Sequence, residues 1–566
     1  MGCERIAFLE NPADTPGEPS RALVERKLIH MLTRREFGVG AAGAFMFGST
    51  GVNAAGLIDA NSSDVPTSIT PDVCIVGAGA AGITLARQLA QHRRSSLLIE
   101  SGGEAFDQET QQLYDAAVAG LPYLPQQSRL RHFGGSTNHW SGVCKPVDVD
   151  SPPIAGCPAW PVSFADLRKY FEIAHEYCQL GPMQWGARDW LPRLSLPPQR
   201  RDALTVIDND QIASTVWQYS HPPVKFGSHF KDDLLRSPYV SLLTNLNLVS
   251  ASFRDQQIVT LQCRTFRGKQ VTITPRRVVL CCGGIENARV LLTLNRDGDR
   301  QPGNDRGLVG RYFADHVILL TVADVIPTMG DFSYYANQWS TTVTALSTSR
   351  PVSIRALFSL TNSAAQRLKI PGIVARLEPA TPIAPTDTGL LEFARAAIAH
   401  DAATVGQPAP STLSRLPLVI LFTHVPEWSS RVLINPQDRD PFGSPKAVLD
   451  WRVNEQDMQT LRKFASTLGA MLTANRVGRV WWRLSDNHGL ADLVRSERRV
   501  GNHHLCTTRM ADDPSSGVVD RNLRVFGTSN LYVCGSSVFP HAGASTPTLT
   551  IVALAARLAA HLASAA

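Results

Sequence analysis

The pattern of apolar and polar positions changes period twice soon after residue 70. Residues 72–79 form a short apolar run rich in β-branched side chains, which predicts a buried strand. Residues 80–91 carry their apolar positions at helical spacing, and residues 96–100 form a second strand-like run. The pattern therefore predicts a βαβ unit whose two strands run parallel.

Later patterns divide the chain into two kinds of region. Apolar runs predict two strands in or near a buried sheet, followed by a helix, at 271–274, 277–282 and 286–294. Between 320 and 500, strand-like runs predict a largely antiparallel lobe, followed by a helix, at 353–360, 418–424, 431–435 and 455–475. Other stretches predict loops in 101–150, short helices in 151–225 and a variable surface insertion in 377–417.

Composition excludes several classes of protein. The chain has 566 residues, of which 43% are hydrophobic and 18% charged, so we expect a globular protein with two or more lobes. The net charge of +6 is mild and spread along the chain, which gives no support for a nucleic-acid-binding face. The ten cysteines form no CxxC or CxxCH spacing, so we predict no metal site and no attached haem. A disulfide between Cys144 and Cys157 is an open alternative to free thiols.

The first 56 residues contain a pattern typical of an export signal. Arg34 and Arg35 precede a weakly apolar, glycine-rich run at 38–47 and a small-residue cleavage site at Ala54. The order resembles a twin-arginine signal, and the apolar run is too short to span a bilayer. We expect export of the folded protein to the bacterial periplasm, with a disordered tail that carries a chance arginine pair as the alternative.

A glycine-rich turn follows the first predicted strand. Gly77 and Gly79 permit a tight turn and the close approach of a pyrophosphate to the backbone, while Gly82 lets the helix pack near the strand. Glu100, at the end of the second strand, can accept hydrogen bonds from ribose hydroxyls and would repel a 2′-phosphate. The motif predicts a site for NAD or FAD rather than for NADP.

A histidine-containing cluster at residues 502–510 lies more than 400 residues after this turn. It contains the pair His503 and His504, and an imidazole whose pKa lies near neutrality can exchange protons with a substrate. If folding brings the cluster beside the glycine turn, the chain is an enzyme rather than a binding module.

Six ordered segments together resemble the glucose–methanol–choline (GMC) family of FAD-dependent oxidoreductases over most of residues 72–563. They are the glycine turn, GGSTNHW, CGGIENAR, the histidine cluster, NLYVCGSSVFP and PTLTI, at 77–82, 134–140, 282–289, 502–510, 530–540 and 547–551. Within the family, the sequence is most similar to pyranose 2-oxidase and to bacterial sugar or glycoside dehydrogenases.

The resemblance implies an α/β fold in which a Rossmann-like FAD-binding domain carries a substrate lobe built on a largely antiparallel sheet. It also implies that both domains are assembled from separate stretches of chain after the signal region at 1–56. The FAD-binding parts would be 57–150, 226–319 and 501–566, and the substrate parts would be 151–225 and 320–500.

The same resemblance implies how the first half of the chain would hold FAD. Gly134 and Gly135 would let the backbone pass close to the isoalloxazine ring, with Asn138 near it. His139 aligns with the histidine that pyranose 2-oxidase bonds covalently to its flavin, and a histidine packed on the dimethylbenzene ring is the alternative. Gly283 would let a turn approach the adenosine end.

The C-terminal segment would complete the FAD site. The last helix is expected to start at Pro547 with Thr546 as its N-cap, and its N-terminus would point at the flavin pyrimidine carbonyl. The full implied set of cofactor residues is Gly77, Gly79, Ala81, Gly82, Glu100, Gly134, Gly135, Asn138, His139, Gly283, Gly535, Ser536, Pro547 and Thr548.

The catalytic positions match the family in part. His503 aligns with the family's catalytic histidine, which takes the hydroxyl proton of an alcohol while hydride leaves for flavin N5, and His504 is expected to point elsewhere. The second catalytic position, normally His or Asn, is Thr546, which cannot serve as a base. Cys506 stands where many relatives have glycine. His541 is close enough in sequence to compensate, a solvated loop histidine being the alternative.

The resemblance implies an FAD-dependent enzyme that oxidises a CH–OH group of a sugar, glycoside or other polyol, with oxygen or a quinone-type compound as electron acceptor. Two alternatives stay open: a non-redox lyase on the same fold, and a flavoprotein subunit that needs a partner electron-transfer chain. Five aromatic residues would suit sugar stacking but are more typical of a core: Trp185, Trp190, Tyr334, Tyr335 and Trp339.

Overall fold

The computed structural model describes residues 57–154, 156–294, 301–320, 322–345, 348–484, 489–497 and 499–564. The predicted twin-arginine signal at 1–56 lies outside the described residues. Within the described ranges, no helix combines the length and the apolar character that a membrane crossing requires.

The described residues contain twenty-three strands, numbered in chain order. They are β1 (Ile58–Asp59), β2 (Ser68–Ile69), β3 (Val73–Val76), β4 (Ser96–Ile99), β5 (Ala116–Val118), β6 (Val143–Cys144), β7 (Ile212–Tyr219), β8 (Val240–Thr244), β9 (Asn247–Arg254), β10 (Gln257–Arg264), β11 (Gln270–Ile273), β12 (Arg277–Leu280), β13 (His316–Leu319), β14 (Ala323–Pro327), β15 (Trp339–Ala345), β16 (Thr348–Leu360), β17 (Ile373–Leu377), β18 (Thr381–Pro382), β19 (Ser414–Thr423), β20 (Arg431–Arg439), β21 (Pro445–Asp450), β22 (Gly478–Trp482) and β23 (Leu531–Val533).

The α-helices are α1 (Ala80–Gln91), α2 (Gln108–Gln111), α3 (Phe164–Tyr177), α4 (Ala187–Trp190), α5 (Pro198–Asp202), α6 (Phe226–Arg236), α7 (Gly284–Thr293), α8 (Ser333–Ala336), α9 (Asn362–Leu368), α10 (Thr388–Val405), α11 (Glu455–Ala474), α12 (Leu490–Glu497) and α13 (Thr548–Ser564). Short 3₁₀ turns lie at Gln112–Tyr114, Gly135–Asn138, Leu191–Arg193 and Ser536–Val538.

A six-stranded parallel sheet has the order β1-β8-β4-β3-β12-β23. Its strands β3 and β4 are buried along their whole length, which explains why they are continuously apolar rather than alternating. Helix α1 packs against α13, and α13 packs in turn against α3. The predicted βαβ opening is therefore β3, α1 and β4, with boundaries within a few residues of those expected.

The turn between β3 and α1 has room for glycine alone at two positions. Gly77 has φ +102°, and a Cβ there would lie 2.8 Å from the carbonyl oxygen of Cys281. A Cβ on Gly82, in the first turn of α1, would lie 1.9 Å from the carbonyl oxygen of Gly77. The two glycines let the helix begin directly over the ends of β3 and β12.

A second, ten-stranded sheet is antiparallel in all its pairs. Its main path is β22-β14-β19-β17-β16-β7-β6, and β13, β15 and β18 pair with strands of this path. Two smaller sheets have the orders β2-β11-β10-β9 and β20-β21-β5. The expected fold class, an α/β dinucleotide-binding domain with a largely antiparallel substrate lobe, is confirmed.

Two local expectations were wrong, and one open alternative is decided. The stretch 151–225 contains the eight-residue strand β7 in addition to short helices, and β7 pairs with β16 inside the large sheet. The stretch 377–417 contains α10, whose Leu390 and Ala394 are buried against Ile326 of that sheet, so it is more than a surface insertion. Cys144 and Cys157 are both free thiols.

Candidate active site

A cavity of about 710 Å³ extends from the carboxyl ends of the parallel strands to one face of the ten-stranded sheet. Its walls include the residues that follow β3, β4, β12 and β23, together with side chains of β7, β16, β17 and β19. Carboxyl ends of parallel strands are the usual place for a ligand in such sheets, because the loops there diverge. The cavity therefore joins a dinucleotide-type site to a wall contributed by the other sheet.

Three helices of the six-stranded sheet begin at this cavity. Ala80 and Ala81 of α1, Gly284 of α7, and Thr548 of α13 all line it. The first N–H groups of a helix have no partner within the helix and carry partial positive charge. The cavity wall is therefore suited to an anionic ligand with more than one charged or polar centre.

Most of the predicted cofactor residues are brought together in the cavity wall. Three are not in the wall: Gly82, Gly134 and Asn138. The residues that do line it are Gly77, Gly79, Ala81, Glu100, Gly135, His139, Gly283, Gly535, Ser536, Pro547 and Thr548, together with His503 and Thr546.

The residues outside the wall pack within the turns that form it. Asn138 Nδ2 donates to the carbonyl oxygen of Phe133 at 2.9 Å, so its amide braces the turn rather than facing the cavity. Gly134 has φ +95°, and a Cβ there would lie 2.9 Å from that amide. Gly135, the next residue, would place a Cβ 3.1 Å from the Cα of Gly79, so the two glycine turns are in close contact. The expectation that Asn138 lies beside the ligand is therefore corrected.

A cluster of buried charged residues lies beside the part of the cavity that is formed by the parallel strands. Glu286, in the first turn of α7, is 2% exposed and pairs with Arg131 at 3.1 Å and Arg289 at 2.6 Å. Arg129 lies 3.8 Å from the same carboxylate, and its Nη1 is buried without a hydrogen-bond partner among the described residues. Because Arg129 lines the cavity, its positive charge lies close to any anionic ligand bound there.

Glu100 and His139 lie at separate points of the wall. Glu100 Oε2 accepts from the N–H of Ala78 at 2.8 Å and Oε1 from the N–H of Gly102 at 3.1 Å, so the carboxylate is fixed beside the glycine turn with lone pairs to spare. His139 is exposed and lines the cavity, and burial followed by the charge of His132 lowers its pKa. A neutral imidazole there is free to contact a ring or to form a bond.

His503 is held against a second histidine that the sequence did not single out. Residues 500–505 pair with 314–317 through backbone bonds that include Gly501 N–H to His316 O at 2.8 Å and Leu505 N–H to Ala314 O at 2.9 Å. This pairing places Nδ1 of His503 3.0 Å from Nδ1 of His316, a hydrogen-bonding distance. His316 is fully buried, whereas His503 is partly exposed and lines the cavity.

Asp315 accepts hydrogen bonds from the backbone of both His503 and His316. Its Oδ1 accepts from the backbone N–H of His503 at 2.8 Å and of His316 at 2.6 Å, and its other oxygen accepts from the Tyr123 hydroxyl. Ligand atoms of Asp315, His316 and His503 lie within 4.8 Å of one another. The carboxylate already has three donors and the two rings share a hydrogen bond, so the arrangement is that of a hydrogen-bonded cluster.

Burial sets the protonation of these groups. It lowers the pKa of His503 to about 4, and it lowers the pKa of His316 further, with the neighbouring His503 adding to the effect. Burial raises the pKa of Asp315 to about 7 in spite of its hydrogen bonds. At neutral pH both imidazoles are therefore uncharged, and a lone pair is available on the ring that faces the cavity.

Thr546 does not cap the last helix. Its Oγ1 donates to the carbonyl oxygen of Val143 at 2.8 Å, and α13 begins at Thr548, with the first helical bond running from Ile551 N–H to Pro547 O at 2.9 Å. The expected start at Pro547 is thus one residue early, and the N-cap expectation is corrected. The hydroxyl proton of Thr546 is already engaged, so towards the cavity this side chain can only accept.

The other two histidines of this region differ from expectation. His504 also lines the cavity, although it was expected to point elsewhere, and its Nε2 is buried without a partner among the described residues. Burial lowers the pKa of His504 well below its usual range. His541 is 6% exposed and is not part of the cavity wall, so it is neither a solvated loop histidine nor a substitute for the missing second base.

Cys506 has a backbone conformation that favours glycine, the residue that the family resemblance implies at this place. Its φ is +71°, in the left-handed region that costs other residues roughly 1–2 kcal/mol. The thiol is fully buried and donates weakly to the carbonyl oxygen of Pro540 at 3.5 Å. Burial of a small apolar group and this contact offset the strain.

The wall opposite the dinucleotide end carries two aromatic residues and two arginines. Trp217 and Tyr219 come from β7, Arg355 from β16 and Arg376 from β17. None of the five aromatic residues named from the sequence lines the cavity, and Trp190, Tyr334 and Tyr335 are fully buried.

Sequence reasoning missed the residues of β7 and the pair Asp315 and His316, because the sequence pattern that would identify them is weak. The strand β7 alternates Ile212, Ser214 and Val216 with Ala213 and Thr215, a period of two that the surrounding helical stretches obscured. Asp315 and His316 are two adjacent residues without a spacing that predicts proton transfer. Only the pairing of residues 500–505 with 314–317 identifies them.

The cavity fits FAD on its own features. Gly79 and Gly283 both line the cavity, and a Cβ on either would meet no protein atom within 4 Å, so the space beside the two turns is open to a closely bound cofactor. The positive charge of Arg129 and three helix N-termini suit a pyrophosphate. The cavity also continues beyond these features to the wall of β7, β16 and β17, which leaves space for a substrate.

Comparison with protein families gives two matches. Residues 426–555 match the family described as GMC oxidoreductase, in its C-terminal part, and residues 75–125 match the NAD(P)-binding Rossmann-like domain. The resemblance to GMC oxidoreductases is confirmed by the match over the C-terminal residues, and FAD is the cofactor that this resemblance implies. The narrower likeness to pyranose 2-oxidase stays a prediction.

The chain is similar to several known enzymes. It is 21% identical to paromamine 6′-oxidase of Streptomyces fradiae, over 86% of this chain and 90% of that one. It is 22% identical to 2-methyl-1,2-propanediol dehydrogenase of Mycolicibacterium austroafricanum, over 86% and 94%. A shorter match, 34% identical over 24% of each chain, is to C-glycoside 3-oxidase of Microbacterium trichothecenolyticum.

Solved structures share the fold. Pyridoxine 4-oxidase from Mesorbium loti superposes with a TM-score of 0.51 at 18% identity, covering 87% of this chain and 99% of that one. A formate oxidase of Aspergillus oryzae RIB40, studied for the modification of its FAD, gives a TM-score of 0.51 at 15% identity, covering 88% and 99%. At these identities the likeness concerns the fold.

Proposed function

We propose that this chain, an FAD-dependent oxidoreductase of CH–OH groups that carries the GMC oxidoreductase C-terminal domain, oxidises a secondary or primary alcohol of a sugar, glycoside or other polyol. The observation that carries this proposal is the position of the His503 imidazole in the cavity wall, within hydrogen-bonding distance of His316. The named relatives act on sugar-like or small alcohols, which supports the same substrate range.

The glycine turns, Glu100 and Arg129 would hold FAD, which when bound would provide the hydride acceptor. The role of the chain at the reacting carbon is to remove the hydroxyl proton. Because burial keeps His503 unprotonated at neutral pH, its ring can take this proton as the carbinol hydride leaves. The alcohol becomes a carbonyl compound, having lost one proton to His503 and one hydride.

His316 fixes which nitrogen of His503 acts as the base. The ring of His316 has a backbone hydrogen bond with Ser545, which raises its pKa and so indicates a carbonyl acceptor, and its Nε2 lies 3.1 Å from Thr423 Oγ1. We infer that Nε2 of His316 carries the hydrogen and that its bare Nδ1 accepts from Nδ1–H of His503. The lone pair of His503 is then on Nε2, the nitrogen away from His316.

Thr546 and the aromatic wall would orient the substrate. The Thr546 hydroxyl can accept a hydrogen bond from a second substrate hydroxyl, because its own proton is engaged by Val143. Trp217 and Tyr219 present ring surfaces on which a sugar can stack. Thr546 therefore serves as an orienting group, and the base function stays with His503.

The proposed function is tested by anaerobic bleaching of the flavin absorption band. A panel of sugars, glycosides, aliphatic alcohols and sterols is mixed with the holoenzyme, and one substrate class is expected to bleach it. Admission of air or addition of a quinone then identifies the acceptor by the return of the yellow colour. If no alcohol bleaches the band, the proposed redox function is wrong, and the lyase alternative takes its place.

Substitution of His316 separates a positioning role from a structural one. In His316→Asn the amide oxygen can still accept from Nδ1–H of His503, whereas His316→Phe removes the acceptor. We expect His316→Phe to lower kcat for flavin reduction by roughly 10- to 100-fold with little change in KM, and His316→Asn to retain most of the activity. Stopped-flow bleaching at several substrate concentrations measures both constants. An equal loss in both variants, in step with their thermal stability, would show that the role is structural only.

We also propose that the protein is exported by the twin-arginine route. The arginine pair Arg34 and Arg35 followed by a short apolar run supports this proposal. Edman sequencing of the protein from the periplasm is expected to give an N-terminus just after Ala54. A mature protein that begins before Arg34 would contradict export through this signal.

A further inference from the structure

The substrate-facing wall carries an excess of positive charge. Arg355 and Arg376 lie on neighbouring antiparallel strands and both line the cavity. Their side chains are 15% and 20% exposed, so water solvates these charges poorly. A cation in such a place usually has its own counter-ion.

One carboxylate serves both guanidinium groups. Glu378 forms an ion pair with Arg376 and lies 3.7 Å from Arg355. Arg355 also donates to the carbonyl oxygen of Ala336 at 2.8 Å, and its Nε is buried without a hydrogen-bond partner among the described residues. Among the described residues in the cavity wall, the only acid is Glu100, which stands at the dinucleotide end. Two positive charges therefore face one negative charge.

The two arginines belong to the substrate side rather than to the FAD side. They stand on the sheet face that also carries Trp217 and Tyr219, while the phosphate-binding features surround the parallel strands of the other sheet. Repulsion between the two guanidinium groups acts together with burial to lower the pKa of Arg355. A bound anion would remove this repulsion.

We propose that the alcohol substrate carries an anionic group, a carboxylate or a phosphate, that is bound by Arg355 and Arg376 while its hydroxyl is presented to His503. This inference rests on the proposed function and specifies its substrate class. A guanidinium pair matches the two oxygens of an oxyanion and binds it through charge-assisted hydrogen bonds. The same wall disfavours a substrate that carries an ammonium group at this place.

The test compares substrates that differ in one charge. Methyl β-glucoside, methyl β-glucuronide and glucosamine share the ring hydroxyls at C3 and C4, whereas the glucuronide has a carboxylate in place of the C6 alcohol. They are offered to the holoenzyme, and kcat/KM for anaerobic flavin bleaching through a ring hydroxyl is measured. We expect the glucuronide to exceed the glucoside by about tenfold or more, since tenfold corresponds to one good charged contact. Glucosamine is expected to be the poorest of the three. Equal values for glucoside and glucuronide would overturn the inference.

Removing a positive or a negative charge from this wall should change the substrate preference in opposite directions. Arg355→Gln and Arg376→Gln should each lower the ratio of kcat/KM for the glucuronide to kcat/KM for the glucoside by about tenfold, whereas Glu378→Gln should raise this ratio. Arg367→Gln is the matched control, because Arg367 is 54% exposed and pairs only loosely with Asp210, at 3.6 Å. If the arginine variants change glucoside and glucuronide alike, the arginines do not select for charge and the inference fails. If an arginine variant does not fold, the Glu378→Gln result decides alone.

A binding measurement separates this inference from the proposed function. Cyclohexanecarboxylate and its uncharged amide have no hydroxyl to oxidise, and their binding to the holoenzyme is followed by calorimetry. Carboxylate binding that weakens by about tenfold in Arg355→Gln supports the anion site even if no alcohol bleaches the flavin. Bleaching by a neutral alcohol without any arginine-dependent binding of the carboxylate supports the proposed function and overturns the anion site.

Discussion

Replacing His503 by alanine should lower the rate of flavin reduction by substrate by roughly 10² to 10⁴, the usual contribution of a general base. The variant should keep its FAD, because His503 stands at the His316 side of the cavity and the glycine turns and Arg129 are untouched. Stopped-flow bleaching gives the rate, and the absorption spectrum gives the flavin content. Full activity in His503→Ala would contradict the role of this histidine as base.

A matched control and a pH series support this measurement. His229→Ala removes an exposed imidazole outside the cavity wall and should leave the rate unchanged. In the unsubstituted enzyme, the lowered pKa of His503 keeps the base deprotonated from pH 8 down to roughly pH 5, and activity should fall only as the pH approaches about 4. An acid limb near the ordinary histidine pKa of about 6.5 would show that burial does not lower the pKa of this group.

The second large effect is expected from Glu286→Gln. Glu286 is the shared partner of Arg129, Arg131 and Arg289, and the Arg residues hold its pKa well below the usual range although burial alone would raise it. Removing the charge of a buried ion pair leaves its partners uncompensated, at a cost of about 3–5 kcal/mol. We expect a loss of that size in the free energy of unfolding, measured by urea titration with FAD in fixed excess.

The control for Glu286→Gln is the same carboxyl-to-amide change at the surface. Asp492 and Arg495 form an ion pair at 3.0 Å with both side chains more than half exposed, and Asp492→Asn should change the free energy of unfolding by less than about 0.5 kcal/mol. A Glu286→Gln variant as stable as this control would mean that the three arginines find other partners. Because Arg129 lines the cavity, weaker FAD retention should accompany the loss of stability.

Several features of this protein follow from the sequence because they depend on local geometry. The strand, turn and helix at residues 73–91 could be predicted, since a phosphate-binding turn requires glycine at fixed spacing and buried strands require continuous apolar runs. The order of six motifs indicated the FAD-type cavity, and all but three of the predicted cofactor residues line it. These inferences needed no knowledge of which distant segments meet.

Other features depended on how distant segments pair. His316 and His503 are 187 residues apart, and their contact arises from backbone pairing that no spacing in the chain encodes. The alternation of β16 and β17 predicts two faces, but only the neighbouring strands decide which face meets the cavity and places Arg355 and Arg376 there. The sequence by itself determined where the cofactor would bind, because that site is built from short-range backbone geometry. The partner of the base and the charge of the substrate wall were decided by the tertiary structure, because they arise from long-range strand pairing.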